Sequence, residues 1–386
     1  KLEKWIDQND HWRKTTKNMV DGWLKEGLED RSITRDLSWG IPLPEGEDQS
    51  KTLYVWFEAP IGYLSFTKQL TDQWKKYWLQ EDKETRLVHF IGKDNVPFHA
   101  IIWPAMLMGY DEYEGSEFVL PWMIPSNEHL NLEGKQFSTS RNWAIWIDDF
   151  LENYPTDYLR YYITAIAPEK RDTDYRWKDF QAKINNELAD IYGNFVHRAL
   201  TFTQNYFDGE IPEAKDLNEV DKEFLETIEE AKEKIESNME EFQFKKSLQE
   251  IISLAKEGNS YFDKKKPWKT IENDKEATAT TINLSLRLAK SLAILSHPFI
   301  PDSSEKIWDF LRMEREIEGA WPEIGSKMEV GREIKEPEVL FEKVEDEQIE
   351  KEVKKLQSKS KEEEEEKEKE EEKMSVSFED FQKMDI

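Results

Sequence analysis

The sequence has no cysteine, which excludes a disulfide framework, a thiolate metal site and a thiol nucleophile. It has no apolar run approaching the ~18 residues that a membrane-spanning helix needs. GxGxxG, the GxxxxGK phosphate loop and HExxH are all missing, and the six histidines are scattered too widely to suggest a ligand cluster. The opening residues, KLEKWIDQND, are charged and lack an apolar signal core, so secretion is not expected and the reading is cytoplasmic. Positive charge is also short: 54 Lys and Arg against 82 Asp and Glu leave a net −28. Nonspecific nucleic-acid affinity comes mostly from cations neutralising phosphates, so a nucleic-acid partner would have to be met at a local site. Part of the excess lies in Lys361–Lys373, where nine Glu face four Lys.

What is present suffices for folded cores. The chain has 386 residues, 38% hydrophobic and 12% aromatic, a length that predicts about two or three domains. Residues 1 to about 150 alternate short β-rich runs with helical ones. Lys51–Phe57 (KTLYVWF) and Arg86–Ile91 (RLVHFI) read as buried strands. Turn-like clusters follow them, Glu58-Ala59-Pro60 and Gly92-Lys93-Asp94-Asn95. Pro97 suits the first turn of a helix running to about Met108. Strand, polar turn and helix make the βα unit of an open α/β sheet, which binds ligands at the carboxyl ends of its strands.

From about Asp157 the pattern becomes helical. Phe180, Ile184, Leu188, Ile191, Phe195, Ala199 and Phe202 recur at helical spacing. Phe224, Ile228, Ala231, Ile235, Met239 and Phe242 form a second run, and a third spans roughly Glu276–Leu295. An antiparallel helical bundle is the natural packing. From about Ser326 charge dominates, which predicts a solvated helix or a linker.

Three segments of the α/β half could carry chemistry. Trp56–Tyr63 (WFEAPIGY) sets large aromatics beside small residues at a strand end, although strand core and a turn would look the same. His99 and Trp103 share a helical face after the turn at Gly92–Asn95, although a lone helical histidine is more often structural. Gly134–Arg141 (GKQFSTSR) is a hydroxyl-rich loop flanked by two cations; it could hold phosphate oxygens or be an ordinary surface turn.

Taken in order, Asp30–Pro44 (DRSITRDLSWGIPLP), Tyr54–Tyr63 (YVWFEAPIGY), Phe90–Met106 (FIGKDNVPFHAIIWPAM), Leu132–Asn142 (LEGKQFSTSRN), Leu188–Pro212 and Asn259–Trp268 (NSYFDKKKPW) resemble methionyl-tRNA synthetases of the archaeal/eukaryotic type over nearly the whole chain. The resemblance implies the second half of a Rossmann-like class I catalytic domain, followed by an all-α anticodon-binding bundle. It implies ATP-dependent activation of methionine to methionyl-adenylate and transfer to tRNA(Met), with Mg²⁺ accompanying ATP and any zinc held outside this chain. Trp56, Ala59, Pro60, Tyr63, His99 and Trp103 match the methionine pocket. Gly92, Asp94 and Asn95 match the turn at the ATP ribose and adenine, with Gln136 and Thr139 completing the ATP site. Gln136–Ser140 (QFSTS) matches the mobile KMSKS loop, with Gln136 and Thr139 in place of its two lysines. Lys135, Ser138, Thr139, Ser140 and Arg141 are the catalytic candidates there. Asn194, Arg198 and Trp268 match positions that read the CAU anticodon.

The expected organisation is a catalytic half over 1–150, a stem-contact connector over 151–178, an anticodon domain over 179–325, an acidic linker over 326–373, and the start of an OB-fold tRNA-binding domain over 374–386. The family's HIGH signature and cysteine zinc knuckle have no counterpart here. The chain is therefore expected to be a fragment, or one subunit of a split enzyme whose partner brings the N-terminal half, and not to activate methionine alone. A noncatalytic tRNA-binding paralogue is the rival, disfavoured by the full set of methionine-pocket side chains, which tRNA binding does not need. No membrane partner and no metal ligand are expected.

Overall fold

The computed structural model describes residues 1–79 and 85–358. By its contacts the chain divides into two units, Lys1–His129 with Pro168–Asp172, and Leu130–Ala167 with the described residues from Thr173 onward.

The first unit is α/β. Leu87–Val88 pairs in parallel with Pro121–Met123, and Ile91–Gly92 with Ser126–Asn127. Parallel strands need a crossover, and it is supplied by a π-helical turn, Phe98–Ile102, that runs into the α-helix Trp103–Glu114. That helix stops at Gly115, whose φ of 71° is left-handed. Its Trp103 and Leu107 close on Trp78 and Phe118 in a small core.

The strands are shorter than the apolar runs suggested. Of Lys51–Phe57 only Thr52–Leu53 is a strand, paired antiparallel with Thr34–Arg35, while Val55–Glu58 is a helical turn. Arg86–Ile91 is interrupted at His89 and Phe90. The helix expected from Pro97 to about Met108 continues to Glu114. β-branched and aromatic residues populate short helical turns as well as strands, and a run this short carries too little periodicity to tell them apart.

In the second unit Leu130–Leu132 lies between Lys135–Gln136, antiparallel, and Thr173–Tyr175, parallel. Glu133 and Gly134, at φ of 48° and 77°, turn the chain between the first two strands. Positive φ at both positions gives the twist that a two-residue hairpin favours. The division between the two contact-defined units falls at His129.

The rest of the second unit is helical. Trp177–Lys183, a π-helical Ile184–Gly193 and Asn194–Tyr206 run as one continuous helix. Glu219–Glu240 and Lys275–Ser296 coincide with the second and third periodic runs. A further long helix, Phe244–Lys265, was not among them, although its buried Leu248, Ile251, Leu254, Ala255, Tyr261 and Phe262 follow the same spacing. Lys275–Ser296 is buried on nearly every side. Its Thr281, Ser285, Ser291 and Ser296 hydroxyls each donate to the carbonyl four residues back, which satisfies them inside the core. Gly258 permits close helix approach: a Cβ there would stand 2.7 Å from Leu288 Cδ2 and from Phe195 Cε2.

The stretch from Ser326 departs from the solvated linker expected over 326–373. Met328, Ile334, Phe341, Val344, Ile349 and Leu356 are buried in the core of the second unit, and residues 346–358 are helical. A few well-placed apolar side chains outweigh a charged average, because burial follows area at particular positions and not mean composition. Residues 359–373 of that span, and the expected OB-fold start over 374–386, lie outside the described residues.

Candidate functional site

Three groups of candidate residues can be built from the elements that carry them. The first is in the α/β unit, at two helix entrances. Trp56 is on the Val55–Glu58 turn, Ala59 and Pro60 make the corner, and Tyr63 is on the helix Ile61–Leu70. His99 is on the π-helical turn and Trp103 opens the helix after it. Trp56 stacks on Phe98, with ring centroids 5.2 Å apart, and is half-exposed. Trp103 is buried against Trp78, and its indole N–H has no hydrogen-bond partner among the described residues.

The Tyr63–His99 pair is fixed by its partners. His99 Nδ1 lies 2.9 Å from the Asn95 carbonyl, which can only accept, so Nδ1 carries the proton. Nε2 is then the acceptor for the Tyr63 hydroxyl at 2.8 Å. Burial lowers the His99 pKa and outweighs the opposing effect of the Asn95 hydrogen bond. Burial likewise raises that of Tyr63. The pair is neutral at pH 7 and can orient a polar or polarisable group without placing a charge beside it.

His89 completes this cluster and was not foreseen. Its ring lies 4.9 Å from Tyr63 and 5.0 Å from His99, with Nε2 buried and without a partner among the described residues. Burial, and to a lesser degree His99, push its pKa down to about 3. Histidines scattered in sequence thus meet in space. The only advance signal was a histidine inside the apolar run RLVHFI.

Gly92, Asp94 and Asn95 fall together at the end of Ile91–Gly92 and in the 3₁₀ turn Lys93–Asn95. The Asp94 side chain is exposed, 3.8 Å from His129 Nε2. Lys93 bridges Glu128 at 2.7 Å and Asp172 at 3.4 Å, which ties the turn down.

The second group lies in the second unit. Lys135 and Gln136 are on the short hairpin strand, and Ser138 caps the 3₁₀ turn Thr139–Arg141. Ser138 and Trp143 exchange backbone hydrogen bonds at 3.0 and 2.9 Å, closing the loop. Buried Trp143 anchors it through its indole N–H to the Leu132 carbonyl at 2.9 Å. Arg141 Nε donates to Ser138 Oγ at 3.2 Å, and the Lys135 ammonium lies 4.6 Å from the centre of the Trp143 ring. Two cations and three hydroxyl side chains on one exposed loop can hold an oxyanion.

The third group is drawn together from distant parts of the bundle. Asn194 and Arg198 stand one turn apart, just after the π-helical segment. Asn259 Oδ1 accepts from Asn194 at 3.2 Å and from Arg198 at 3.3 Å, while Asn259 Nδ2 donates to the Ile191 carbonyl at 2.9 Å. Asp263 holds another guanidinium nitrogen at 2.7 Å. The guanidinium carbon is 4.6 Å from the Phe262 ring centre and 5.7 Å from that of Trp268. Trp268, 44% exposed, lies over Phe262 with the rings 27° from parallel. An exposed indole beside a fixed Arg and Asn can stack an unpaired base and read its edge. A shallow cavity of about 670 Å³ adjoins it, lined by Asn259, Asp263 and the three lysines Lys256, Lys264 and Lys266. Asn259, Phe262 and Asp263 were not singled out in advance, although all lie within NSYFDKKKPW.

The family model described as tRNA synthetases class I (M) matches residues 1–200, and that described as the anticodon binding domain of methionyl tRNA ligase matches residues 211–361. The methionine–tRNA ligase of Pyrococcus furiosus is 53% identical over 361 residues, covering 90% of this chain and 49% of that protein. That of Bacteroides fragilis is 46% identical over 392 residues, covering 100% of this chain and 56% of that protein. The chain spans about half the length of the curated relatives it matches. Among solved structures, Mycobacterium tuberculosis methionyl-tRNA synthetase in complex with methionyl-adenylate superposes with a TM-score of 0.78 at 26% identity, over 88% of this chain and 66% of that one.

Proposed function

The chain belongs to the methionyl-tRNA synthetases of class I, and from that premise we propose that it supplies the methionine-recognising and anticodon-reading parts of a cytoplasmic methionine–tRNA ligase. In this reading Trp56, Ala59, Pro60, Tyr63, His99 and Trp103 receive methionine. The thioether packs on aromatic faces, and the neutral Tyr63–His99 pair orients it. Gly92, Asp94 and Asn95 meet the ribose and adenine of ATP, whose triphosphate brings Mg²⁺. Lys135, Gln136, Ser138, Thr139, Ser140 and Arg141 face the triphosphate. The methionine carboxylate attacks the α-phosphorus, pyrophosphate leaves, and cations on the loop stabilise the charge that develops on it. A ribose hydroxyl of tRNA(Met) then attacks the methionyl carbonyl carbon of the adenylate, forming the ester as AMP leaves.

Tyr63→Phe removes the donor to His99 Nε2 and leaves a buried acceptor unpaired. In pyrophosphate exchange by the intact enzyme it is expected to raise the methionine KM about tenfold, the equivalent of ~1.4 kcal/mol, with the ATP KM unchanged. An unmoved methionine KM would take Tyr63 out of the pocket.

The observation that carries the proposal is the convergence of Asn194 and Arg198 on Asn259, with Trp268 brought in beside the Arg198 guanidinium. Fluorescence anisotropy with tRNA(Met), and with the same tRNA carrying a replaced anticodon, tests it. The chain is expected to bind the CAU form at least about tenfold more tightly, since reading a single base edge is worth ~1–3 kcal/mol. Equal affinity for the two tRNAs would overturn the reading.

A further inference from the structure

Lys290 lies in the middle of the buried helix Lys275–Ser296 and is only 2% exposed. Its ammonium donates to the Ser326 carbonyl at 3.1 Å and to Ser326 Oγ at 2.6 Å, both neutral acceptors. Among the described residues no carboxylate pairs with it, and an ammonium taken out of water without a counter-charge is costly. Burial lowers its pKa to about 8; Glu323 pulls the other way, while Arg287 and Arg332 push it further down.

Lys290 is one of the residues lining a cavity of about 270 Å³, together with Arg315, Lys327 and Arg332. Two of the carboxylates in the wall are already engaged, Glu323 by Arg315 at 3.1 Å and Glu329 by Arg332. Glu314 is the third, and Met313 and Met328 add apolar surface. Four cations thus face three carboxylates around this space; Arg315 and Arg332 are each paired with one of them, and Lys290, the most buried of the four, is held only by neutral oxygens.

We propose that this cavity binds a compact dianion of the phosphate class, seated on Lys290 and flanked by Arg315 and Arg332. Such a ligand supplies the counter-charge that Lys290 lacks and accepts charge-assisted hydrogen bonds from it. The depth of the ammonium selects a small molecule over a nucleic-acid backbone. The site shares no residue with the anticodon-reading group or the Lys135–Arg141 loop, so it stands or falls independently of the ligase proposal.

Calorimetric titration of the chain with inorganic phosphate, and separately with glycerol 3-phosphate, tests it. The expected result is saturable one-to-one binding, weakened about tenfold or more by Lys290→Met, which removes a charged donor. Arg315→Gln, at a side chain 82% exposed, is expected to weaken it about threefold, the scale of an exposed charge. Lys290→Met keeps the length of the side chain, and a melting temperature close to wild type separates loss of the ligand from loss of the fold. Tighter binding of the ester assigns the ligand to small organic phosphates, and equal affinity for the two probes assigns it to free phosphate. No saturable binding of either probe up to tens of millimolar, or the same affinity in all three proteins, overturns the proposal.

Discussion

Trp268→Ala is expected to weaken binding of tRNA(Met) by ~1–3 kcal/mol, about 5- to 150-fold, while methionine affinity stays unchanged. The indole is close to half-exposed, lies over Phe262 and shares the Arg198 guanidinium with it. It has one face backed by the protein and one available to a base. The substitution removes a stacking platform at the surface and little of the core, so the loss should appear in affinity and not in melting temperature. Trp268→Phe keeps an aromatic face and should recover most of the binding. If Trp268→Ala binds tRNA(Met) as wild type does, the residue is not part of the interface.

The largest stability effect is expected at Asp221. This carboxylate is 1% exposed and accepts from Tyr261 Oη at 2.7 Å, from Lys265 Nζ at 2.7 Å and from the Asn218 backbone N–H at 3.1 Å. The Asn218 side chain returns the bond to the Asp221 N–H at 3.1 Å, forming the capping box that starts Glu219–Glu240. The carboxylate therefore ties the beginning of one helix to the end of its neighbour, Phe244–Lys265. Tyr261 also stacks on Phe224 at 3.9 Å between ring centroids, so the polar tie and the apolar contact reinforce each other. Asp221→Ala leaves Lys265, whose side chain is 11% exposed, without its counter-charge. It is expected to cost ~3–5 kcal/mol, the range for breaking one side of a buried ion pair. Urea unfolding measures this, and a loss below about 1 kcal/mol would mean that the network is not buried as described.

The helical half was readable in advance because long amphipathic helices repeat their apolar residues often enough to be recognised. Glu276 to Leu295 coincides with a helix, and Phe224 to Met239 with another, Phe242 falling just past its end. Phe244–Lys265 follows the same rule and escaped because Gly258 and runs of lysine dilute its stripe. Short elements were harder: Thr52–Leu53 and Val55–Glu58 divide one apolar run between two conformations, and no local pattern marks the junction. The acidic stretch after Ser326 misled because its average charge hid the few side chains that reach the core.

The candidate residues show the same division. Order and identity along the chain were enough to name Tyr63, His99, Arg198 and Trp268, because each lies in a segment that resembles the family. Their spatial arrangement was not contained in those segments. His89 joins Tyr63 and His99 only once the β-strands and the crossover helix are folded, and Asn259 reaches Asn194 and Arg198 only when two helices distant in sequence lie side by side. The Lys290 cavity likewise gathers residues from three separate stretches. By itself the sequence determined the α/β-then-helical architecture, the family and the chemical groups available, since periodicity and motifs are local properties of a chain. The tertiary structure alone decided which of those groups meet, which are stripped of water and which remain charged, because hydrogen bonds and desolvation depend on neighbours that the linear order does not record.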